Sequence, residues 1–285
     1  MPRFSIFAFR TFLPRRMRLV CTIFVLVLAL SASGGLSGRI TEYVVPTPES
    51  FPHDPAVDAQ DRVWYTGMRA NTIGRFDPET KQFREFRVPT ATAGPHGLVA
   101  DSAGRIWFTE NWAGKIGVLN PATGEFREFN APTAKDPHTP IFDLQGRLWF
   151  TAQASNLVAR FNPRDSSMVE YKVPTENARP YGIVTAPDGM GWFCELAGNK
   201  LARIDPATGA ITEFPLPTPN AGPRRIAVDS DSVWYTGNRN GKLGRYNYKT
   251  NEWKEWDSPG GAQSQPYGIA LAADGAVWYN EAGAD

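Results

Sequence analysis

The chain has 285 residues, of which 42% are hydrophobic and 21% are charged. This apolar content is sufficient for a packed core, so the chain as a whole is not intrinsically disordered. Lys and Arg number 30 against 29 Asp and Glu, and no basic run occurs after residue 20. This excludes a nucleic-acid-binding protein that works through a broad positive surface. Cys21 and Cys194 are too few for a disulfide framework or a cysteine-rich metal site.

The first 33 residues have the pattern of a signal peptide. Five arginines and no acid precede the apolar run Leu19 to Leu30, which is followed by the small residues SASGG. The apolar run is shorter than the roughly 20 residues that a membrane-spanning helix needs. We therefore predict a cleaved leader at residues 1–33 and a secreted or periplasmic protein without membrane contact after cleavage. Cys194 would remain as the single thiol, and we predict that it is buried because other repeats have Thr there.

The rest of the chain repeats one unit. Six tryptophans recur at spacings of 43, 42, 43, 42 and 44 residues, in the contexts VWYTG, IWFTE, LWFTA, GWFCE, VWYTG and VWYNE. A proline opens each unit, and Gly-containing turns separate short stretches in which apolar and polar residues alternate. Four short strands in a unit of this length are typical of one blade of a β-propeller.

We therefore predict an all-β propeller of four-stranded antiparallel blades that forms a single domain over residues 39–285. Residues 39–46 (RITEYVVP) resemble the last strand of a unit, so we expect them to complete the last blade and close the ring. The sequence stops after the second strand of the sixth unit, which indicates five full blades, a partial sixth and a truncated C-terminus. We expect seven blades in the complete ring, with six as the alternative.

All three histidines of the chain directly follow an opening proline, namely His53, His96 and His138. Because the first two strands of a blade are antiparallel, we expect His96 and Glu110 to face the same mouth of the central channel. Asp136 precedes His138 by two residues and adds a second carboxylate. Imidazoles beside carboxylates transfer protons and bind divalent cations, here Mg²⁺, Mn²⁺ or Ca²⁺ rather than structural zinc. We predict catalytic roles for the three histidines and metal ligation by Glu110 and Asp136.

A structural role for these positions is the alternative. The fourth and sixth repeats have Tyr181 and Tyr267 where the others have histidine, a variation that packing tolerates. For Glu195 and Glu281, at the ends of their second strands, we favour the structural role. The sequence has no Gly-rich phosphate loop and no G-x-S-x-G, H-E-x-x-H or C-x-x-C-H motif.

The units PHGLVADSAGRIWFTENWAGKIG and LAGNKLARIDPATGAITEFPLPTP resemble those of the virginiamycin B lyase family, and the likeness covers residues 39–285. The resemblance implies a seven-bladed propeller, closed by its N-terminal strand, that opens a cyclic depsipeptide antibiotic by elimination. It also implies a histidine that transfers the proton and a Mg²⁺ ion held by two glutamates. By this likeness His96 matches the catalytic histidine, Glu110 a metal-binding glutamate and His53 a second histidine one blade earlier.

One position departs from the family pattern. The family has a glutamate two residues before the catalytic histidine, where this chain has Gly94. Asp136 supplies an acid at the equivalent position of the next blade, but that repeat ends in Ala152 instead of a glutamate. We therefore expect a site that is either divided between the second and third blades or different in kind from that of the family.

The repeat and the leader favour a secreted, monomeric propeller, and the resemblance implies that it is lyase-like and inactivates an antibiotic. Its substrate would be a small molecule or a cyclic peptide, opened by Mg²⁺-assisted elimination at a cyclic ester. Two alternatives remain open. The first is an exported propeller without catalytic activity that binds a ligand or protein at its rim, and the second is a metal-dependent lactonase-type hydrolase.

Overall fold

The computed structural model describes residues 6–9 and 41–283, and all regular elements in these residues are β-strands. They form six antiparallel sheets, one for each repeat; five have four strands and the sixth has three. The four-stranded sheets use their strands in chain order. The first strands of consecutive sheets contact each other, which places them at the centre of the propeller. The all-β propeller predicted from the repeat is confirmed.

The first three blades contain twelve strands, each of five or six residues. They are β2 (Pro52–Val57), β3 (Val63–Gly67), β4 (Thr72–Asp77) and β5 (Gln82–Arg87); β6 (Pro95–Ala100), β7 (Ile106–Glu110), β8 (Lys115–Asn120) and β9 (Glu125–Asn130); and β10 (Pro137–Phe142), β11 (Leu148–Ala152), β12 (Leu157–Phe161) and β13 (Met168–Lys172), while β1 (Ile6–Phe9) belongs to the sixth sheet.

The fourth and fifth blades repeat this order, and the sixth sheet pairs the two strands of the last unit with β1. These strands are β14 (Pro180–Thr185), β15 (Gly191–Glu195), β16 (Lys200–Ile204) and β17 (Ile211–Pro215); β18 (Pro223–Val228), β19 (Ser232–Gly237), β20 (Lys242–Asn247) and β21 (Glu252–Asp257); and β22 (Pro266–Leu271) and β23 (Val277–Glu281).

The repeated tryptophan packs between neighbouring blades. Trp64 is fully buried and lies in one apolar cluster with Ile106 and Phe108 of the second blade. Its indole N–H donates to Asp58 in the turn that precedes its strand, at 2.7 Å. The same bond recurs in three further blades, as Trp107–Asp101, Trp149–Asp143 and Trp234–Asp229. Each of these four tryptophans therefore fills an interface between blades and holds its own hairpin turn.

In four blades, the threonine two residues after the tryptophan joins successive blades. Thr109 Oγ1 accepts a hydrogen bond from Gly97 N at 2.9 Å and donates to the carbonyl of His138 in the next blade at 2.6 Å. Cys194 takes this place in the fourth blade, where its Sγ lies 3.9 Å from the Arg225 carbonyl. Its side chain is fully buried, which confirms the prediction for this thiol.

The predicted closing strand does not form. Residues 41–45 are irregular, the Tyr43 ring packs 4.5 Å from that of Phe76, and the Thr47 hydroxyl donates to Glu85, so this segment lies against the first blade. The physical reason is the sixth sheet, which in the described residues contains only the first two strands of a repeat. The fourth strand of a blade pairs with the third, and this sheet, as far as the chain is described, has no third strand of the repeat. The strand that pairs with β23 is β1. Residues 39 and 40 lie outside the described part of the chain.

The predicted leader also lies outside the described residues, except for the four residues of β1. In the part of the chain that is described, no helix has the length and apolar character needed to cross a membrane.

Candidate functional site

The first strand of each blade carries a bulge next to its opening proline. In β6, Pro95 pairs with Glu110 and Leu98 pairs with Phe108, so that His96 and Gly97 lie in the irregular segment between them. The same shift of register occurs in the first strands of the other five blades. Bulges redirect side chains, and this one turns the residue after each proline towards its counterparts in the neighbouring blades.

The rings of the three histidines consequently pack against one another in a column, with neighbouring planes tilted by 45° and 42°. The ring centres of His53 and His96 are 3.9 Å apart, and those of His96 and His138 are 3.8 Å apart. Tyr181 continues the column at 4.2 Å from His138. His96 and His138 are buried, whereas the side chain of His53 is 18% exposed. The structure therefore brings together all three histidines that share a position in the repeat.

Asp54 connects this histidine column to the other side of the channel. Its Oδ1 accepts hydrogen bonds from His53 Nδ1 at 2.9 Å and from Arg225 Nη2 at 2.5 Å. Arg225 also donates to Thr139 Oγ1 at 3.3 Å. Because Asp54 lies in the first blade and Arg225 in the fifth, this ion pair spans the channel.

Burial sets the charge states of these groups. It lowers the pKa of His96 to about 3 and holds that of His138 well below its ordinary value, so both imidazoles are neutral at neutral pH. Burial opposes the ionisation of Asp54, but the charge of Arg225 and the hydrogen bond from His53 hold its pKa well below the usual range. Burial likewise opposes the charge of Arg225, and the carboxylate of Asp54 raises the pKa of this guanidinium.

The remaining wall of the channel carries two tyrosines and a second arginine. The hydroxyl oxygens of Tyr181 and Tyr267 are 2.8 Å apart. The guanidinium carbon of Arg224 lies 5.3 Å from the ring centre of Tyr181 and 5.1 Å from that of Tyr267, and Arg225 contacts the same two rings. Within the described residues Arg224 forms no ion pair, and its Nε is buried without a hydrogen-bond partner.

Glu110 does not lie with the histidines. Its fully buried carboxyl faces Glu128 of β9 and Lys115 of β8. Burial and then the charge of Glu128 raise the pKa of Glu110 to about 8, so this carboxyl is mainly protonated at neutral pH. The fourth blade repeats the arrangement with Glu195, whose pKa is also raised to about 8 by burial and by the charge of Glu213.

A comparison of the blades shows what surrounds a glutamate at this position. In the first blade the second strand ends in VWYTG, and the Tyr65 hydroxyl donates to Glu85 at 2.9 Å. In the second blade the strand ends in IWFTE, where phenylalanine has no hydroxyl and Glu110 faces the equivalent acid, Glu128. The fifth and fourth blades follow the same two patterns, as Tyr235 with Glu255 and Glu195 with Glu213. The carboxyl group of Glu110 or Glu195 therefore lies beside the acid that a tyrosine hydroxyl bonds in the first and fifth blades, but its own oxygens are buried without a hydrogen-bond partner among the described residues.

Asp136 also has a local role. Its two oxygens accept hydrogen bonds from the backbone nitrogens of Ala154 at 2.6 Å and Ser155 at 3.1 Å, and from the Ser155 hydroxyl at 2.7 Å. Gly94 occupies the position where the family has a glutamate two residues before its catalytic histidine. The Trp112 side chain packs against Gly94, and a Cβ on this residue would lie 2.3 Å from the indole ring. The indole therefore occupies the space that a family carboxylate would need.

These placements do not fit the predicted magnesium site. Among residues 6–9 and 41–283, the group of three whose ligand atoms lie within reach of one ion is His53, Asp54 and His96, and it includes neither Glu110 nor Asp136. That set offers two imidazole nitrogens and one carboxylate that Arg225 already neutralises, whereas Mg²⁺ requires octahedral oxygen coordination. The assignment of Mg²⁺ stays a prediction from the family resemblance, and no step of the chemistry below passes through it.

Asp54, Thr139 and Arg225 were missed in the sequence, although the repeat contains a signal for them. They occupy the second position after the opening proline in the first, third and fifth blades, where the other three blades have glycine. Glycine is required where the next inner strand approaches closely; a Cβ on Gly97 would lie 2.5 Å from the carbonyl oxygen of His138. The alternation of glycine with polar residues marks the positions that reach into the channel.

His53 is the histidine best placed for proton transfer. Its Nδ1 is held by Asp54, which leaves Nε2 as the proton acceptor, and it is the most exposed ring of the column. A carboxylate that holds one imidazole nitrogen fixes the tautomer and stabilises the imidazolium formed when the other nitrogen takes a proton.

Comparison with known proteins agrees with this architecture. The family model described as the virginiamycin B lyase family matches residues 33–167 and 163–285. A streptogramin B lyase structure is 33% identical, with a TM-score of 0.81, over 87% of this chain and 82% of that one. Virginiamycin B lyase from Staphylococcus aureus is 30% identical, with a TM-score of 0.78, over 87% of this chain and 86% of that one.

A third structure is a catalytically inactive histidine-to-alanine variant of the Staphylococcus aureus lyase with quinupristin, 30% identical over 86% of this chain and 85% of that one, with a TM-score of 0.78. A gluconolactonase from Xanthomonas campestris is 15% identical with a TM-score of 0.60 over 81% of this chain and 85% of that one, and shares only the fold. No curated protein sequence matches the chain. Since the family model covers nearly the whole chain from residue 33, the chain belongs to the virginiamycin B lyase family.

Proposed function

We propose that this chain is an exported carbon–oxygen lyase that opens a cyclic ester, such as that of a streptogramin-type depsipeptide, by elimination. The observation that carries the proposal is the His53–Asp54 dyad: an imidazole at the accessible end of the histidine column, held through Nδ1 by a buried, ionised carboxylate. A positioned imidazole–carboxylate pair is suited to remove a proton as a general base.

In the proposed reaction, Nε2 of His53 removes a proton from the carbon next to a carbonyl group. The electron pair of the broken C–H bond forms a carbon–carbon double bond, and the bond from the neighbouring carbon to the ester oxygen breaks. The leaving electron pair stays on that oxygen as a carboxylate, and the proton stays on His53 until it passes to solvent.

His96 and His138 pack in the same column as His53 but do not take up the proton in the proposed reaction. His96 packs against the ring of His53, and burial keeps its pKa at about 3, so it adds no positive charge beside the base at neutral pH. The family resemblance points to His96 as the base, but a buried imidazole with so low a pKa is a poor proton acceptor near pH 7. The role of the base is therefore assigned to His53.

The proposal is tested by incubating the purified chain with quinupristin, which accompanies the related Staphylococcus aureus lyase in its structure, and measuring the product by mass spectrometry. Elimination within the ring gives an opened product with the mass of the substrate and a new double bond. A product heavier by one water would support the lactonase-type hydrolase instead. Unchanged substrate that still binds the protein would support the non-catalytic propeller.

A further inference from the structure

The channel contains more positive than negative charge. Arg224 and Arg225 both lie beside the rings of Tyr181 and Tyr267, but the carboxylate of Asp54 is bonded to Arg225 alone. Within the described residues, Arg224 has no acidic partner. A guanidinium that is partly removed from water without a counter-charge is costly, which favours an anion beside it.

The groups around Arg224 supply donors for such an anion. Its Nε is buried and has no hydrogen-bond partner, so at least one donor of the guanidinium is free. The hydroxyls of Tyr181 and Tyr267 form one hydrogen bond at 2.8 Å; one hydroxyl donates and the hydrogen of the other remains free. A planar guanidinium is complementary to the two oxygens of a carboxylate, and the free hydroxyl belongs to one of the two rings that this guanidinium contacts.

Arg224 and the two tyrosines lie in the same ring of positions as the three histidines. Arg224 occupies the repeat position that holds His53, His96 and His138 in earlier blades, directly after the opening proline. Tyr181 joins the two groups, since its ring lies 4.2 Å from that of His138 and its hydroxyl meets Tyr267. A ligand in the channel would thus have neutral imidazoles on one side and a free guanidinium on the other.

We propose that Arg224, with the hydroxyls of Tyr181 and Tyr267, forms a carboxylate-binding subsite in the channel. Its identification with the leaving group rests on the proposed function: as the carbon–oxygen bond breaks, the developing carboxylate is paired with Arg224, while the proton is taken by His53. The ester is neutral before this step, so the ion pair forms only as the bond breaks and favours the transition state over the bound substrate.

The subsite is tested without turnover. The purified full-length chain is titrated with sodium acetate and sodium benzoate at constant ionic strength, with sodium chloride as the reference, and heat is measured by calorimetry. We expect saturable binding of the carboxylates. Arg224→Gln should weaken it about tenfold or more, and Arg224→Lys, which keeps the charge but loses the planar fork, should weaken it less. Arg239→Gln is the matched control, because Arg239 is exposed and bonded to Asn220.

Absence of saturable binding by the wild-type chain, or equal affinity in folded Arg224→Gln, would overturn the subsite. If circular dichroism shows that Arg224→Gln does not fold, Tyr267→Phe replaces it: weaker carboxylate binding supports the subsite and unchanged binding overturns it. Carboxylate binding through Arg224 without conversion of quinupristin would uphold the subsite and reject the lyase function. Conversion without carboxylate binding would reject the subsite alone.

Discussion

At the scale of single residues, a glutamate of the fourth strand has one of two kinds of neighbour in four of the blades. A tyrosine hydroxyl donates to it in the first and fifth blades, and a second glutamate faces it in the second and fourth. In each case the aromatic ring lies over a small residue of the third strand; a Cβ on Gly117 would lie 2.1 Å from the ring of Phe108. The terminal glutamates of these strands are therefore part of the core.

This arrangement predicts a pH-dependent contribution to stability from Glu110 and Glu195. Burial raises both pKa values to about 8 in the folded chain from 4.5, so the folded state binds more protons between these values and loses stability as pH rises through this window. Each group contributes a slope of up to about 1.4 kcal/mol per pH unit. The variant Glu110→Gln/Glu195→Gln should lose this slope. Urea denaturation between about pH 5 and about pH 9 measures it, and parallel curves for wild type and variant would contradict the assignment.

The second strand ends in VWYTG in the first blade and in IWFTE in the second. We expect that the tyrosine–glycine combination can replace the phenylalanine–glutamate combination when both residues are changed together. Glu110→Gly removes a fully buried side chain beside Glu128 and leaves a cavity, which should destabilise the chain by about 1–3 kcal/mol. Adding Phe108→Tyr rebuilds the first-blade pattern, in which a tyrosine hydroxyl bonds the acid, and should recover part of the loss. Denaturant midpoints of the single and double variants measure the effect; a double variant less stable than Glu110→Gly would refute the exchange.

At the scale of elements, the bulge at the start of each inner strand and the threonine of the second strand act together. The hydroxyl of Thr109 bonds the amide of Gly97 in the bulge and the carbonyl of His138 in the next blade. Thr66 makes the same inter-blade bond to the carbonyl of His96 at 2.7 Å. The backbone of each channel histidine in the second and third blades is therefore held by the preceding blade.

Thr109→Val keeps the shape of this side chain and removes both hydrogen bonds. We expect a loss of about 1–3 kcal/mol in the free energy of unfolding, because a buried amide and carbonyl lose a partner. Thr109→Ser should retain most of the stability. Thr123→Val, in an exposed turn, serves as the control and should be nearly neutral. Equal stability of Thr109→Val and Thr109→Ser would contradict the role given to the hydroxyl.

At the scale of the whole molecule, one ion pair connects blades that are far apart in sequence. Asp54 and Arg225 are separated by 171 residues, and their side chains are 11% and 15% exposed. Removal of one partner of a buried ion pair leaves an uncompensated charge, and we expect Arg225→Met to cost about 3–5 kcal/mol.

A double-mutant cycle separates this coupling from general damage. Asp54→Asn/Arg225→Met should cost less than the sum of the two single changes, because neither charge is left alone. Additive losses in urea denaturation would show that the pair does not couple the first and fifth blades.

The tryptophan spacing predicts the blades well, because each blade buries one indole against the next and so repeats at a fixed interval. The same repeat predicts the buried Cys194 and brings the three histidines to one position. It does not predict the Asp54–Arg225 pair, since that contact crosses the channel and follows no period. It also does not predict that Glu110 faces Glu128 inside its blade, because this contact depends on packing across the sheet and not on the period of the repeat. Residues 41–45 match a strand in sequence but lack a neighbouring strand to pair with.

The central claim is that His53, held by Asp54, transfers the proton, and that Glu110 is a buried structural residue of its blade and takes no part in the reaction. It is tested most directly by kcat/KM for quinupristin in His53→Gln and Glu110→Gln, measured beside the wild-type chain near pH 7. We predict that His53→Gln lowers kcat/KM by about 100-fold or more, as expected for loss of a general base, while Glu110→Gln changes it little. Full activity of a folded His53→Gln, or an equal loss in Glu110→Gln, would contradict the account.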